Sequence, residues 1–162
     1  MTQVIRIAEQ DQELTAAVRG CIKDRAEWFY LLLQEAKKQG ADKDLIAQKA
    51  IFKFGQRKGQ KIGDGTTPRE FFDGIAVKNA KLAFAMEEIK VEENQGVYRF
   101  HHCALCDAWR ELGCNQEEIN ALCKLAMEGD FGVVSNFPLD LKFNCTIADG
   151  SEYCEMVVTK KD

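Results

Sequence analysis

Between Asp11 and Gln39 the apolar residues Leu14, Ala17, Val18, Cys21, Ile22, Trp28, Phe29, Leu32, Leu33 and Ala36 recur at three- and four-residue intervals. That spacing predicts one long amphipathic helix, stopped by Gly40. Asp42 is placed to cap a second helix, with Leu45, Ile46, Ala50, Ile51, Phe52 and Phe54 on or near its buried stripe. From Gly55 to Gly65 there are four glycines and three cations, which predicts an exposed linker. A phosphate-binding loop is the sharper alternative, but the glycine spacing matches neither a Walker motif nor a dinucleotide fingerprint. Thr67, Pro68 and Glu70 form a capping box with proline at the first helical position, predicting a helix from Pro68 to about Phe84.

Polarity then alternates over Ile89–Glu93 and Val97–His101, across Asn94-Gln95-Gly96, as in a β-hairpin. Ala104–Leu112 reads as a helix ending at Gly113. Asn115 and Glu118 cap another, with Ile119, Leu122, Cys123 and Ala126 on one face. Leu139, Leu141, Phe143, Cys145 and Ile147 alternate with polar residues up to Asp149-Gly150, a hairpin turn signal, and a second strand spans Ser151–Thr159. A turn of two or four residues sets Cys145 opposite Cys154, Phe143 opposite Met156 and Leu141 opposite Val158, all on one buried face. The expected fold class is α+β, with N-terminal helices packed on an antiparallel sheet of two hairpins with intervening helices.

The length of 162 residues suits one domain, helical over 1–85 and hairpin–helices–hairpin over 86–162. A net charge of −4 argues against nucleic acid and anionic membrane as main partners. The longest apolar run, Trp28–Leu33, falls far short of the roughly 20 residues of a membrane span. Residues 1–10 lack the apolar core and cleavage site of an export signal. A cytoplasmic protein with mostly reduced cysteines is therefore expected. The seven cysteines are odd in number, and six of them lie between 103 and 154.

His101, His102, Cys103 and Cys106 form the densest cluster of reactive groups and include both histidines. Imidazole and thiolate are zinc's preferred ligands, so a zinc site on His102, Cys103 and Cys106 is one reading, although no second pair with matching spacing completes it. A nucleophilic cysteine is another, its thiolate favoured by a helix N-terminus and its proton taken by an imidazole. Plain packing competes with both, because cysteine is among the most buried residue types. Along a continuing strand His101 and His102 point to opposite faces, so one of them faces a given cavity. Cys145 and Cys154 read as packing residues before they read as a redox pair. Asp130, beyond Glu128-Gly129, reads as a solvated helix-end group, with projection into a pocket as the alternative. The acidic segment Met86–Glu93 reads as a solvated strand face.

Cys103 is followed at set intervals by Trp109 and Leu112-Gly113, then Cys123, Gly129-Asp130, and a closing segment in which three residues separate Gly150 from Cys154. Over residues 97–158 this order resembles the L-2-amino-thiazoline-4-carboxylate hydrolase-like family. Two positions depart from the family pattern: Ala104 replaces a proline, and Cys106 is an additional thiol. The resemblance implies a fold like the ligand-binding domains of 4-vinyl-reductase-type proteins and transport-particle subunits. It also implies hydrolytic opening of a 2-amino-thiazoline ring to a carbamoyl-cysteine. In that chemistry Cys103 attacks the amidine carbon, His101 or His102 is base and then acid, and Asp130 holds the protonated amidine. Cys106, Cys123 and Cys154 line the substrate. No cofactor is required, and a zinc-bound hydroxide on His102, Cys103 and Cys106 is the competing mechanism. A non-catalytic sensing or carrier domain for a small molecule is the alternative function. A homodimer, or a subunit of a larger complex, can form through strand edges and the Trp28-Phe29 helix.

Overall fold

The computed structural model describes residues 9–161. Residues 1–8, on which much of the reading of no export signal rests, lie outside them. The elements run α1 (Glu9–Lys38), α2 (Lys43–Ile62), α3 (Pro68–Ile75), α4 (Lys78–Phe84), β1 (Met86–Val91), β2 (Gln95–Phe100), α5 (Ala104–Glu111), α6 (Gln116–Val134), β3 (Leu139–Cys145) and β4 (Cys154–Lys160). The four strands form one antiparallel sheet in the order β1-β2-β4-β3. The α+β architecture of helices against two hairpins is as the polarity pattern predicts.

The local start and stop signals act where they stand in the sequence. Gly40 turns the chain out of α1 at φ 73°, and the Asp42 carboxylate accepts from the Leu45 N–H at 3.0 Å. Capping boxes at Thr67/Glu70 and Asn115/Glu118 are both complete. Each such box satisfies donors that a helix terminus otherwise leaves unpaired.

The expected linker at 55–65 is not one. α2 runs through it to Ile62, and only the stretch around Gly63–Thr67 is loop. The physical reason lies across the interface. Gly55 and Gly59 are buried against α6, where a Cβ on Gly55 would stand 2.9 Å from the Gly132 Cα. Close packing of two backbones offsets the low helix propensity of glycine. It also rotates α2 relative to its expected stripe. Ala47, Gly55 and Gly59 face inward, whereas Leu45, Ile46 and Phe54 are about half exposed.

Three further expectations are corrected. The single helix Pro68–Phe84 is two. The chain leaves helical geometry at Ala76, and Val77 begins α4 in an extended conformation. The break lets Phe71 and Phe72 of α3 bury against the sheet while Ala83 of α4 packs on α1. The Asp149-Gly150 turn is not tight. Thr146 opens a 3-10 turn over Ile147–Asp149, Gly150 closes it at φ 99°, and β4 starts at Cys154 rather than Ser151. Phe143 pairs with Met156 and Leu141 with Val158 as expected, but an irregularity after Phe143 sets Cys145 opposite Glu155 instead of Cys154. An extra residue in one strand shifts every later pairing. Cys145 and Cys154 are accordingly both free: the Cys145 thiol meets the Tyr153 carbonyl at 3.5 Å, and Cys154 Sγ accepts from the Ile147 N–H at 3.2 Å.

The interior is divided. One apolar cluster lies around Phe71, Phe72, Tyr98, Phe137, Met156 and Val158 on the sheet. A second gathers Ala26, Leu33, Ile119, Leu122 and Leu125 around Trp109, whose indole N–H donates to the Ala26 carbonyl at 3.1 Å. A small third cluster joins Ile22, Ala83 and Ala104.

Candidate active site

Where these clusters fail to meet there is a cavity of about 700 Å³, with walls drawn from all three. That volume falls in the range of pockets for small molecules. Most of its lining is apolar, including Ile51, Phe71, Phe84, Phe100, Phe143 and Met156. The polar groups in the wall are few: Asn79, His102, Cys103, Cys123, Thr146 and Cys154, with Arg25, Lys58 and Asp130 carrying formal charge.

Past Phe100 the chain stays tied to the α4–β1 corner, because the His101 and His102 N–H groups donate to the Ala85 and Phe84 carbonyls at 3.3 and 3.1 Å. Strand-like alternation then sends the two imidazoles apart. His102 lines the cavity. His101 does not: its Nε2 is 2.7 Å from Glu87 Oε2 and its ring stands edge-on to Tyr153 at 5.8 Å. The choice between the two histidines is thus made by the fold. His102 Nε2 is buried and lies 3.2 Å from Asp107 Oδ2, but out of line for a hydrogen bond, and it has no other partner among the described residues. Burial, helped by the Arg19 charge and opposed by Asp107, lowers the His102 pKa below its ordinary value. Its imidazole is therefore neutral at pH 7.

Cys103 is the N-cap of α5 and is half-buried in the cavity wall. The expected low thiol pKa is corrected. Hydrogen bonding to Cys106 and then burial drive it far above the ordinary cysteine value, outweighing the backbone N–H groups of Cys106 and Leu105. A short helix terminus does not compensate a thiol facing other thiols in an apolar wall. Cys106, expected to touch substrate, is instead 1% exposed and absent from the cavity wall, behind Cys103 and within hydrogen-bonding reach of Cys123. Its bond with Cys103 lowers its pKa, but the bond to Cys123 and burial outweigh this and push it up to about 12. Burial also pushes Cys154 up to about 12. Among the described residues no three His, Cys, Asp or Glu side chains are arranged to hold a metal ion, and this includes His102, Cys103 and Cys106.

Asp130 is the largest change from the expected solvated helix end. α6 continues past Gly129 to Val134, which carries Asp130 into the cavity wall. Burial pushes its carboxyl up to about 6, with Lys58 and Arg25 pulling it back down. Neither cation lies within ion-pairing distance of it, so their effect acts across space.

The motif order and the cavity now stand together with a family comparison. The model for L-2-amino-thiazoline-4-carboxylic acid hydrolase matches residues 21–158. The chain belongs to the L-2-amino-thiazoline-4-carboxylic acid hydrolase family. The match begins in α1, so the N-terminal helices are part of the family architecture and not an appendage to the motifs over 97–158. No curated protein and no solved structure matches the chain. Among the described residues no helix is long and apolar enough to cross a membrane.

For this member of the hydrolase family the structure adds residues that the motifs did not indicate. Arg25 of α1 and Lys58 of α2 line the cavity with Asp130. Lys58 falls in the segment read as a linker. Its helical phase was the missing signal.

Proposed function

We propose that this protein hydrolyses a small cyclic amidine of the 2-amino-thiazoline type in the cavity shared by His102, Cys103 and Asp130. That shared wall, in a chain of this family, is the observation that supports the reading. The ionised Asp130 carboxylate holds the protonated amidine, and Arg25 and Lys58 attract the ring carboxylate. The neutral His102 imidazole takes the Cys103 proton as the sulfur bonds to the amidine carbon. The ring carbon–sulfur bond breaks, and its electron pair and the His102 proton go to the leaving sulfur, which departs as a thiol. Water then adds its oxygen to the same carbon with His102 as base, and the Cys103–carbon bond breaks to give the urea product and the free Cys103 thiol. The high thiol pKa makes the cationic substrate part of the activation. An amidinium beside Cys103 favours thiolate where the apolar wall alone opposes it.

Replacing Cys103 by alanine is expected to abolish turnover of a 2-amino-thiazoline carboxylate, and His102→Asn to lower kcat by about 10²-fold or more. Full turnover by Cys103→Ala would refute the covalent route. The unprimed thiol and largely apolar wall favour one further reading, a ligand-binding domain without chemistry. A ligand retained through purification, with no hydrolysis of any cyclic amidine supplied, would decide for it.

A further inference from the structure

α2 carries six cations and one carboxylate in a chain whose net charge is −4. Five of those cations, Lys49, Lys53, Arg57, Lys58 and Lys61, are exposed and have no ion-pair partner among the described residues. Four of them, Lys53, Arg57, Lys58 and Lys61, line a groove of about 400 Å³ together with Ala50 and Phe54. Lys53, Arg57 and Lys61 follow one another at four-residue steps and so stand in a single row on the helix. Like charges at that spacing repel, and the row destabilises α2 unless an anion lies along it.

The groove does not stand alone. Ala50, Phe54 and Lys58 belong to its lining and to the wall of the large cavity, so the two spaces adjoin across these residues. Lys58 also leans over the Phe54 ring, with Nζ 5.7 Å from its centroid, at this junction. An apolar cavity of about 700 Å³ is far roomier than one small ring bearing a carboxylate requires. A cationic row outside and an apolar chamber inside fit a molecule with an anionic head and an apolar body.

We infer that the α2 groove is an anion subsite at the entrance to the cavity, and that the natural substrate bears, beyond its cyclic amidine, an apolar body ending in a multiply charged phosphate head. This rests on the cavity being the substrate site and specifies the substrate class. A phosphate is indicated over a single carboxylate because the row offers several cations within roughly 12 Å of helix axis, and one negative charge would leave most of them unneutralised. The ligand enters as a single soluble molecule, since the apolar chamber behind the groove takes up its body.

Calorimetric titration of the full chain tests this with octyl phosphate, octyltrimethylammonium and inorganic phosphate at low ionic strength. Octyl phosphate should bind at least about tenfold more tightly than either of the others, with an affinity that falls on adding salt. The triple variant Lys53→Gln, Arg57→Gln, Lys61→Gln should lose that preference. The charge-keeping pair Lys53→Arg, Lys61→Arg should retain it. Equal affinity for the phosphate and ammonium heads, or an unchanged triple variant, overturns the inference. Binding to vesicles of anionic phospholipid without binding of octyl phosphate also overturns it, in favour of a membrane-facing role for α2. These titrations read binding alone, so failure of the hydrolytic mechanism leaves their outcome decisive, and their failure leaves the Cys103→Ala assay decisive.

Discussion

Substituting Gly55 by alanine tests the packing that builds the cavity. In an exposed helix interior this change stabilises by about 1 kcal/mol, because alanine has the higher helix propensity. Gly20 in α1 is such a position, with nothing within 4 Å of an added Cβ. At Gly55 the added Cβ would stand 2.8 Å from the Gly129 carbonyl carbon and 2.9 Å from the Gly132 Cα, and closer still to the Gly129 carbonyl oxygen. Unstrained carbon contacts lie at about 3.5–4.0 Å. The obstacle is helix backbone and has no alternative rotamer, so α2 and α6 must part by about 1 Å. Overpacking of this kind costs about 1–3 kcal/mol, and a rigid obstacle places Gly55 near the upper end. With the propensity gain subtracted, Gly55→Ala destabilises by about 2 kcal/mol, which in a chain of this length lowers Tm by about 4–8 °C. Gly20→Ala raises it by about 2–4 °C. Thermal unfolding of both variants by circular dichroism gives the comparison. A Tm for Gly55→Ala at or above the parent's would refute the close-packed α2–α6 interface. The displacement would also move Asp130, which sits between Gly129 and Gly132, so ligand affinity should fall along with stability.

Three other outcomes follow from the site. The folded Asp130 carboxyl titrates near 6 against an ordinary 3.8, so the folded state binds the proton more tightly and stability declines as pH rises from about 4 through 6. Asp130→Asn should melt above the parent beyond pH 6, by up to ~3 kcal/mol, and the gap should close below pH 4; a gap that widens in acid would contradict the burial. The same titration makes amidine hydrolysis rise with pH across about 6, measured as kcat/KM against pH, and a rate that falls over that interval would exclude Asp130 as the amidinium holder. Iodoacetamide at pH 7 should label exposed Cys21 well before Cys103, because the thiolate is the reactive form. Peptide mass spectrometry reads the order, and rapid labelling of Cys103 would show a primed thiol.

Much of the fold was legible in the chain because its signals are local. Asp42, Thr67/Glu70 and Asn115/Glu118 satisfy donors within three residues of themselves, and the alternation of Leu141 and Phe143 fixes which face meets Val158 and Met156. The candidate site was legible in part. Cys103, Cys123 and Cys154 of the motif and His102 of the His-Cys cluster line the cavity, whereas His101 and Cys106 do not. Alternation showed that the two histidines must diverge, but only the tie of residues 101 and 102 to the α4–β1 corner selects the imidazole that turns inward.

What sequence alone determined, then, is the order of elements, their caps, the strand faces and the family motifs. Each follows from interactions between residues near in the chain or from a period that any helix or strand imposes. What the tertiary structure decided is the helical state of Gly55–Ile62, the inward position of Asp130, the high pKa of Cys103 and the cavity itself. Glycines favour a loop until a second backbone lies against them, and a thiol or carboxyl keeps its ordinary pKa until packing removes its water. Both conditions are set by residues distant in sequence, and no local pattern records them.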